Sequence, residues 1–442
     1  MVFRTGICRS SRAKTVQKFA LCLVLTFAVR GALAEPGFIP QHRVGYTAGD
    51  QWEPALAADG RGHIYILFPQ YGPVAECRSC AAPTMALLTS DDNGISWEPA
   101  RPLLTSSTGQ FDPQIVVDPV DRQTLYASWL QNGKRDVIVA RSQDFGRSWY
   151  FAVAERSRQE SDADKPVLAV RGPNIYVGFN HDEKFVVAAS HDYAQNFSST
   201  VVNPEAGPGW SLAGGATVDP AGNVYFSWTA YARRNIHTRP VGVFVSRSAD
   251  GGRNWNTTPM DVSSAAPSCS AQGCESGFLG SQIALASDAA GTLFALWNAG
   301  TTNGGPERMY FSSSTNGGGS WSAKLDVSTA GPDVEHCFPA ITAGTAGDVR
   351  IAWMDTRMKD AQNHPLWNTF HRASTNGGAT WSAESQLSGP VRGYDYIQDN
   401  GFRFPFGDFF SIGIDNLGAT HVVWGEGRNY KSPGSIWYTR GR

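Results

Sequence analysis

Short apolar runs separated by turn residues fill most of the chain. One type of run begins at a turn and closes on Trp or Phe, as in "GHIYILF", "GNVYFSW" and "GTLFALW". It occurs seven times, and its closing aromatics lie about 50 to 70 residues apart, at Phe68, Trp129, Phe179, Trp228, Trp297, Trp353 and Trp424. A second short run precedes each of them, as in "PQIVVDP" before Trp129. No stretch has a helical period, so the pattern predicts an all-β protein.

Most of these runs are apolar on both faces, which indicates sheets that are covered on both sides. Small sheets that repeat at a fixed period, and that cannot bury their faces alone, are typical of a β-propeller. A further phrase follows each of the first six strand pairs, at residues 90–97, 142–149, 190–197, 248–255, 314–321 and 374–381. The seventh pair is followed by "SIWYTRGR", after which the chain ends. We therefore expect a fourth strand from "HRVGYTA", near residue 44, to complete the seventh blade. The prediction is a seven-bladed propeller, with six blades as the alternative.

The six phrases, such as "SDDNGISW" and "SADGGRNW", follow the pattern S-x-D-x-G-x-[ST]-W with few departures. This pattern resembles the Asp box, or BNR repeat, of the sialidase superfamily, and the resemblance covers the chain from residue 35 to residue 442. It implies a single propeller domain with Asp-box hairpins. Asn316 and Asn376 replace the aspartate in the last two copies. Because asparagine can accept the same backbone hydrogen bonds but cannot ionise, we expect Asp92 and its equivalents to fasten turns and not to catalyse.

The first 34 residues have the features of a secretion signal. Basic residues precede the apolar run at 19–29, and "ALA" at 32–34 supplies small residues for cleavage. The apolar run is too short for stable membrane insertion. We therefore expect a secreted protein, either extracellular or periplasmic.

Charge and cysteine content narrow the chemistry further. The balance of 37 basic and 39 acidic residues argues against a nucleic-acid partner. In an oxidising compartment we expect Cys77–Cys80 and Cys269–Cys274 disulfides, with Cys337 free. We expect no metal site, no cofactor and a monomer.

Two sets of positions are predicted to meet at one mouth of the propeller, where first strands begin and second strands end. An acid precedes an arginine by two residues in adjacent blades, as Asp355 with Arg357 and Glu426 with Arg428. Such pairs fit recognition of a carboxylated sugar and acid–base cleavage of its bond, and they equally fit ion pairs that brace loops. The candidate catalytic residues are Asp355, Glu426, Asp408 and Tyr396. The candidate substrate-binding residues are Arg357, Arg428, Arg403, His336, Glu53, Asp112 and Tyr394.

The resemblance to sialidases implies an arginine triad, a tyrosine nucleophile with a glutamate, and an aspartate acid/base. The position of the first arginine reads Gln51-Trp52-Glu53-Pro54, and Phe409 and Phe410 lie where the tyrosine is expected. The expectation is a secreted, sialidase-like glycoside hydrolase that binds carbohydrate, with an acidic glycan as one expected ligand. A polysaccharide lyase and a non-catalytic propeller that binds glycan or protein are the alternatives.

Overall fold

A computed structural model describes residues 37–158, 163–181, 183–203, 209–233, 239–268, 280–390, 407–427 and 434–442. This part of the chain forms seven antiparallel sheets and no helix, as the apolar pattern predicted. Each sheet is one blade, and within blades 2 to 6 the strands pair in chain order. The prediction of seven blades is confirmed.

The strands of blades 1 to 4 have the following bounds. Blade 1 contains β2 (Asp50–Gln51), β3 (Ala55–Ala58), β4 (Ile64–Tyr71), β5 (Thr84–Ser90) and β6 (Arg101–Pro102). Blade 2 contains β7 (Phe111–Val117), β8 (Leu125–Gln131), β9 (Asp136–Ser142) and β10 (Tyr150–Arg156). Blade 3 contains β11 (Ala163–Arg171), β12 (Asn174–His181), β13 (Lys184–Ser190) and β14 (Ser198–Val201). Blade 4 contains β15 (Trp210–Val218), β16 (Val224–Tyr231), β17 (Val241–Ser248) and β18 (Asn256–Ser263).

The strands of the last three blades follow the same order. Blade 5 contains β19 (Ile283–Ser287), β20 (Leu293–Gly300), β21 (Glu307–Ser314) and β22 (Leu325–Asp326). Blade 6 contains β23 (His336–Ala343), β24 (Val349–Lys359), β25 (Pro365–Ser374) and β26 (Ser385–Gln386). Blade 7 contains β27 (Ser411–Ile414), β28 (Thr420–Gly427), β29 (Gly434–Gly441) and, from the N-terminal side, β1 (His42–Val44).

The strand from the N-terminal side closes the ring. His42 pairs with Tyr438 and Val44 with Ile436, so β1 becomes the outer strand of blade 7, as "HRVGYTA" predicted. This pairing gives the last blade its fourth strand and covers the edge of β29, which would otherwise be open.

The strand that carries the closing aromatic forms the core of each blade. These strands are β4, β8, β12, β16, β20, β24 and β28. The seven closing aromatics named above all lie in these strands and are fully or almost fully buried. The apolar clusters join neighbouring blades: one contains Leu67 and Leu87 of blade 1 together with Ile115 and Ile138 of blade 2. Both faces of a blade therefore pack against other blades, which explains why the runs do not alternate.

The Asp box joins the third and fourth strands of a blade, at the end opposite the start of the first strand. In the first box, Asp92 Oδ1 accepts hydrogen bonds from the backbone amides of Ile95 (3.0 Å) and Ser96 (2.8 Å). Asn316 Oδ1 accepts the equivalent bond from Ser320 N at 2.9 Å. Trp97 packs edge-on against Tyr438 of blade 7, with ring centroids 5.0 Å apart. The boxes fasten turns and wedge blades together, in agreement with the sequence-based expectation.

The cysteines described by the structure agree with the prediction. Cys77 and Cys80 form a disulfide, and Cys337 is free and buried. Cys269 and Cys274 lie outside the described residues.

Candidate functional site

A cavity of about 180 Å³ lies on the propeller axis, and the first strands of all seven blades line it. Asp112, Lys165 and Phe409 lie among its lining residues, together with Pro54, which directly follows Glu53. These residues lie where first strands begin, so they mark the mouth face of the cavity. The Asp boxes lie at the opposite ends of the blades.

The backbone at this mouth is unusual. Glu53, Asp112, Lys165 and Phe338 have positive φ angles of 52°, 56°, 45° and 54°, and a proline follows each of them. The ladder is interrupted between Phe111 and Gln114 in blade 2 and at the equivalent places in blades 3 and 6. Proline cannot donate to the ladder, and a bulge re-aims the side chain that it carries. Left-handed conformations of non-glycine residues are costly and concentrate at functional sites.

Six ionisable side chains meet at the mouth, and we refer to them as the rim cluster: Glu53, Asp112, Lys134, Asp164, Lys165 and Asp408. Lys134 Nζ lies 3.1 Å from Asp112 Oδ2 and 3.2 Å from Asp164 Oδ1. Lys165 Nζ lies 3.1 Å from Asp408 Oδ1. The cluster joins blades 7, 1, 2 and 3, which are neighbours around the ring.

Glu53 has the most perturbed environment of the cluster. Its side chain is buried, and its Oε1 accepts a hydrogen bond from the backbone amide of Asp408 at 3.3 Å. Burial raises the pKa of Glu53 well above its usual range, and the nearby charges of Asp408 and Asp112 raise it further. Burial also raises the pKa of Asp112 to about 6, although the Lys134 ammonium opposes this shift. Burial and the neighbouring carboxylates therefore favour the protonated form of Glu53.

Aromatic rings surround the charged groups. Trp52 stacks on Tyr71 with ring centroids 4.2 Å apart. Lys165 Nζ lies 5.2 Å from the centroid of Phe409, which is partly exposed. Burial raises the pKa of the Tyr71 hydroxyl well above its usual range, and the charge of Asp112 raises it further. Tyr71 thus remains protonated and cannot serve as a base near neutral pH.

The pair Asp355 and Arg357 forms a buried brace in blade 6. Asp355 is fully buried and accepts hydrogen bonds from Trp353 Nε1 (3.0 Å) and from Arg357 Nε (2.9 Å). Arg357 also pairs with Glu384, and its guanidinium lies 3.6 Å from the centroid of the Phe370 ring. This geometry matches the loop-bracing alternative.

His336 is packed inside the same brace. Its Nδ1 lies 2.9 Å from the carbonyl oxygen of Glu307 and 2.8 Å from that of Val334, so Nδ1 carries the proton. Its Nε2 lies 2.7 Å from Ser328 Oγ, which identifies Nε2 as the acceptor for that hydroxyl. Burial lowers the pKa of His336. The imidazole is therefore neutral and fully occupied by hydrogen bonds.

Glu426 occupies the equivalent position in blade 7. It is buried, and it accepts hydrogen bonds from Trp424 Nε1 (2.7 Å) and Gln41 Nε2 (3.2 Å). Burial raises the pKa of Glu426 to about 7, while these two bonds oppose the shift. In blade 2 the same place is taken by Gln131, whose Oε1 accepts a bond from Trp129 Nε1 at 3.2 Å. The position two residues after the tryptophan is an indole acceptor in all three blades.

The structure thus divides the sequence-based candidates into three groups. Glu53, Asp112 and Asp408 meet in the rim cluster, whereas Asp355, Arg357, His336 and Glu426 lie in buried networks of blades 6 and 7. Tyr394, Tyr396, Arg403 and Arg428 lie outside the described residues. Sequence reasoning missed Lys134 and Tyr71. The turn "QNGKRD" between two apolar runs was the available signal for Lys134, because such turns project side chains at the mouth.

Comparison with solved structures finds similar folds at low sequence identity. A protein of unknown function from Dyadobacter fermentans DSM 18053 aligns with a TM-score of 0.51 and 12% identity, over 92% of this chain and 100% of that chain. A puromycin hydrolase aligns with a TM-score of 0.50 and 12% identity, over 86% of this chain and 51% of that chain. Trypanosoma rangeli sialidase in complex with sialic acid aligns with a TM-score of 0.46 and 10% identity, over 92% of this chain and 59% of that chain. These likenesses concern the fold alone.

No protein-family model matches the sequence, and the search of curated proteins found no match. Within the described ranges, no three or more His, Cys, Asp and Glu side chains are grouped so that they could hold a metal ion. The same part of the chain contains no helix with the length and apolar character of a membrane span.

Proposed function

We propose that the rim cluster is the active site of a glycoside hydrolase, with Glu53 as the general acid. One arrangement carries this proposal: a buried glutamic acid, whose protonated form is favoured by burial, lies beside aspartates at the mouth of the axial cavity. Hydrolysis of a glycosidic bond needs two carboxyl groups in opposite protonation states.

The proposed chemistry assigns one role to each carboxyl group. Glu53 gives its proton to the glycosidic oxygen as the bond to the anomeric carbon breaks, and a water molecule then bonds to that carbon and returns a proton to the Glu53 carboxylate. Asp112, ionised and held by Lys134, stabilises the positive charge that develops on the sugar ring. Asp408 contributes the nearby negative charge that keeps the proton on Glu53. The partly exposed ring of Phe409 offers an apolar face on which a sugar can stack.

Asp355 and Glu426 receive a structural role in this proposal, because each is buried and accepts the indole hydrogen bond of its own strand. Recognition of an acidic sugar would then rest on Arg403 or Arg428, since Arg357 is bound to Asp355 and Glu384. The acidic glycan therefore remains one expected ligand, beside neutral glycans.

The test is turnover of a panel of neutral and acidic glycosides by the wild type and by single variants. Glu53→Gln keeps the size of the side chain and removes its acid proton, so we expect kcat/KM to fall by about 100-fold or more. Glu426→Gln and Asp355→Asn are the matched controls, because each preserves an acceptor for its indole. The proposal fails if Glu53→Gln retains full turnover, or if only the two control substitutions abolish it.

A non-catalytic glycan-binding propeller is the second candidate. It is favoured by the ion pairs within the rim cluster, since Lys134 and Lys165 already neutralise Asp112, Asp164 and Asp408. Binding of the same panel without release of reducing sugar by the wild type would support this candidate. New ultraviolet absorbance from an unsaturated uronate would instead identify a lyase.

We also propose that the protein works after export from the cytoplasm. The Cys77–Cys80 disulfide supports this proposal, because disulfides persist in oxidising compartments. Cell fractionation followed by immunoblotting tests it, and a protein found only in the cytoplasm at full length would contradict it.

A further inference from the structure

Lys134 reaches the rim cluster from a tight turn between β8 and β9. Three successive residues of this turn, Asn132, Gly133 and Lys134, have positive φ angles of 56°, 67° and 59°. The carbonyl oxygen of Lys134 accepts a hydrogen bond from Ala163 N at 3.2 Å, which ties the turn of blade 2 to the first strand of blade 3. This hydrogen bond fixes the backbone of Lys134 at the junction between blades 2 and 3.

The side chain of Lys134 bridges the same junction. Its ammonium contacts Asp112 of blade 2 and Asp164 of blade 3, and it lies 5.3 Å from the centroid of the Phe111 ring. The side chain is only 19% exposed, so water screens these contacts weakly. The ammonium thus lies between two carboxylates that belong to adjacent blades.

We propose that Lys134 is a positioning residue of the rim cluster, which holds Asp112 in its charged form and in place against blade 3. This inference rests on the proposed function, in which Asp112 acts as the ionised partner of Glu53. Lys134 itself contacts Asp112 and Asp164, and in this role it need not touch the substrate.

The test compares three variants with the wild type. Lys134→Met keeps the unbranched side chain and removes the charge, whereas Lys134→Arg restores a cation. Lys324→Met is the matched control, because Lys324 also combines a carboxylate contact, to Asp261 at 2.7 Å, with an aromatic ring, Tyr310 at 4.5 Å. Lys324 belongs to blade 5, whereas the rim cluster belongs to blades 7, 1, 2 and 3.

The first readout is the pH dependence of kcat/KM. An opposite charge at this distance shifts a carboxyl by about one pH unit or more. We therefore expect the acidic limb to move to higher pH by about that amount in Lys134→Met, and to return towards the wild-type position in Lys134→Arg. The profile of Lys324→Met should match the wild type. An unchanged profile in Lys134→Met, with only its melting temperature lowered, would mean that Lys134 stabilises the fold alone and would overturn the inference.

The second readout does not need turnover. The carboxyl carbon of Asp112, labelled with ¹³C and assigned through Asp112→Asn, can be titrated by NMR in each variant. We expect its midpoint to rise in Lys134→Met and to stay unchanged in Lys324→Met. If the wild type shows no turnover but the midpoint of Asp112 rises in Lys134→Met, the proposed hydrolase fails and the role of Lys134 in charging Asp112 stands. An unshifted midpoint would defeat that role whatever the activity.

Discussion

At the scale of single residues, Glu53 combines a strained backbone with a buried acid. Its φ of 52° belongs to a conformation that non-glycine residues rarely adopt, and its carboxyl lies among other carboxyls. Both features cost free energy. Strained backbone and acids with perturbed pKa values are concentrated at functional sites.

The same site constrains a neighbouring glycine. Gly407 has a φ of 67°, and a Cβ at this position would overlap the side chain of Glu53. The residue before Asp408 must therefore be glycine, since any side chain there would displace the acid. The approach of Gly407 to Glu53 links blade 7 to blade 1 at the rim cluster.

At the scale of elements, the Asp box acts as a fastener whose aspartate is replaceable. Burial opposes ionisation, but hydrogen bonds from Ser96 and Ser90 outweigh it and lower the pKa of Asp92 to about 2. Asn316 and Asn376 accept the equivalent backbone bonds without a charge. The turn thus needs a side-chain oxygen that accepts the backbone hydrogen bonds, and it does not need a negative charge.

This requirement yields a stability prediction. Asp92→Ala removes the acceptor of the Ile95 and Ser96 amides, so we expect it to lower the free energy of unfolding by about 1 kcal/mol. Asp92→Asn should cost clearly less, because the acceptor remains. Urea denaturation of both variants measures the difference, and equal losses would contradict the fastener role.

The elements also show how far the sequence can predict this protein. Apolar runs and Asp boxes identified the blades, their number and the closing strand. These features were predictable because burial patterns and turns depend on residues that lie close together in the sequence. Glu53, Asp112 and Asp408 were predicted at the mouth for the same reason. Their contacts were not predictable, since they depend on bulges and on Lys134, which arrives from a different turn.

The tryptophans two residues before Asp355 and Glu426 have a structural role that was not predicted from the sequence. Asp355 and Glu426 preceded arginines and therefore suggested a site, yet Trp353 and Trp424 donate to them. Gln131 performs the same task beside Trp129, so the position needs an acceptor and not an acid. Comparison of the blades at this position would have indicated the structural role.

At the scale of the whole molecule, four buried glutamates have raised pKa values, and none of them belongs to an Asp box. Burial raises the pKa values of Glu307 and Glu426 to about 7, and those of Glu53 and Glu335 well above their usual range. In the unfolded chain these groups ionise near about pH 4.3. The folded protein therefore binds more protons than the unfolded chain above that pH, and raising the pH lowers its stability.

This linkage predicts a lower melting temperature at pH 8.5 than at pH 6.5, by about 2 °C or more. The buried His336 and His371 oppose this slope only at the lower end of the window, because unfolded histidine loses its proton at about pH 6.5. Thermal melting in matched buffers measures the trend, and Glu426→Gln should flatten it. A melting temperature that rises with pH would contradict the arrangement of buried acids.

The central claim is that Glu53 carries a proton at neutral pH within a cluster of ionised groups. Infrared difference spectroscopy of the wild type against Glu53→Gln at pH 7 tests it without knowledge of the substrate. We expect the difference spectrum to contain one C=O stretch of a protonated carboxylic acid, which the wild type shows and Glu53→Gln loses. If the substitution instead removes a carboxylate band and leaves the acid region unchanged, Glu53 is ionised and cannot be the general acid.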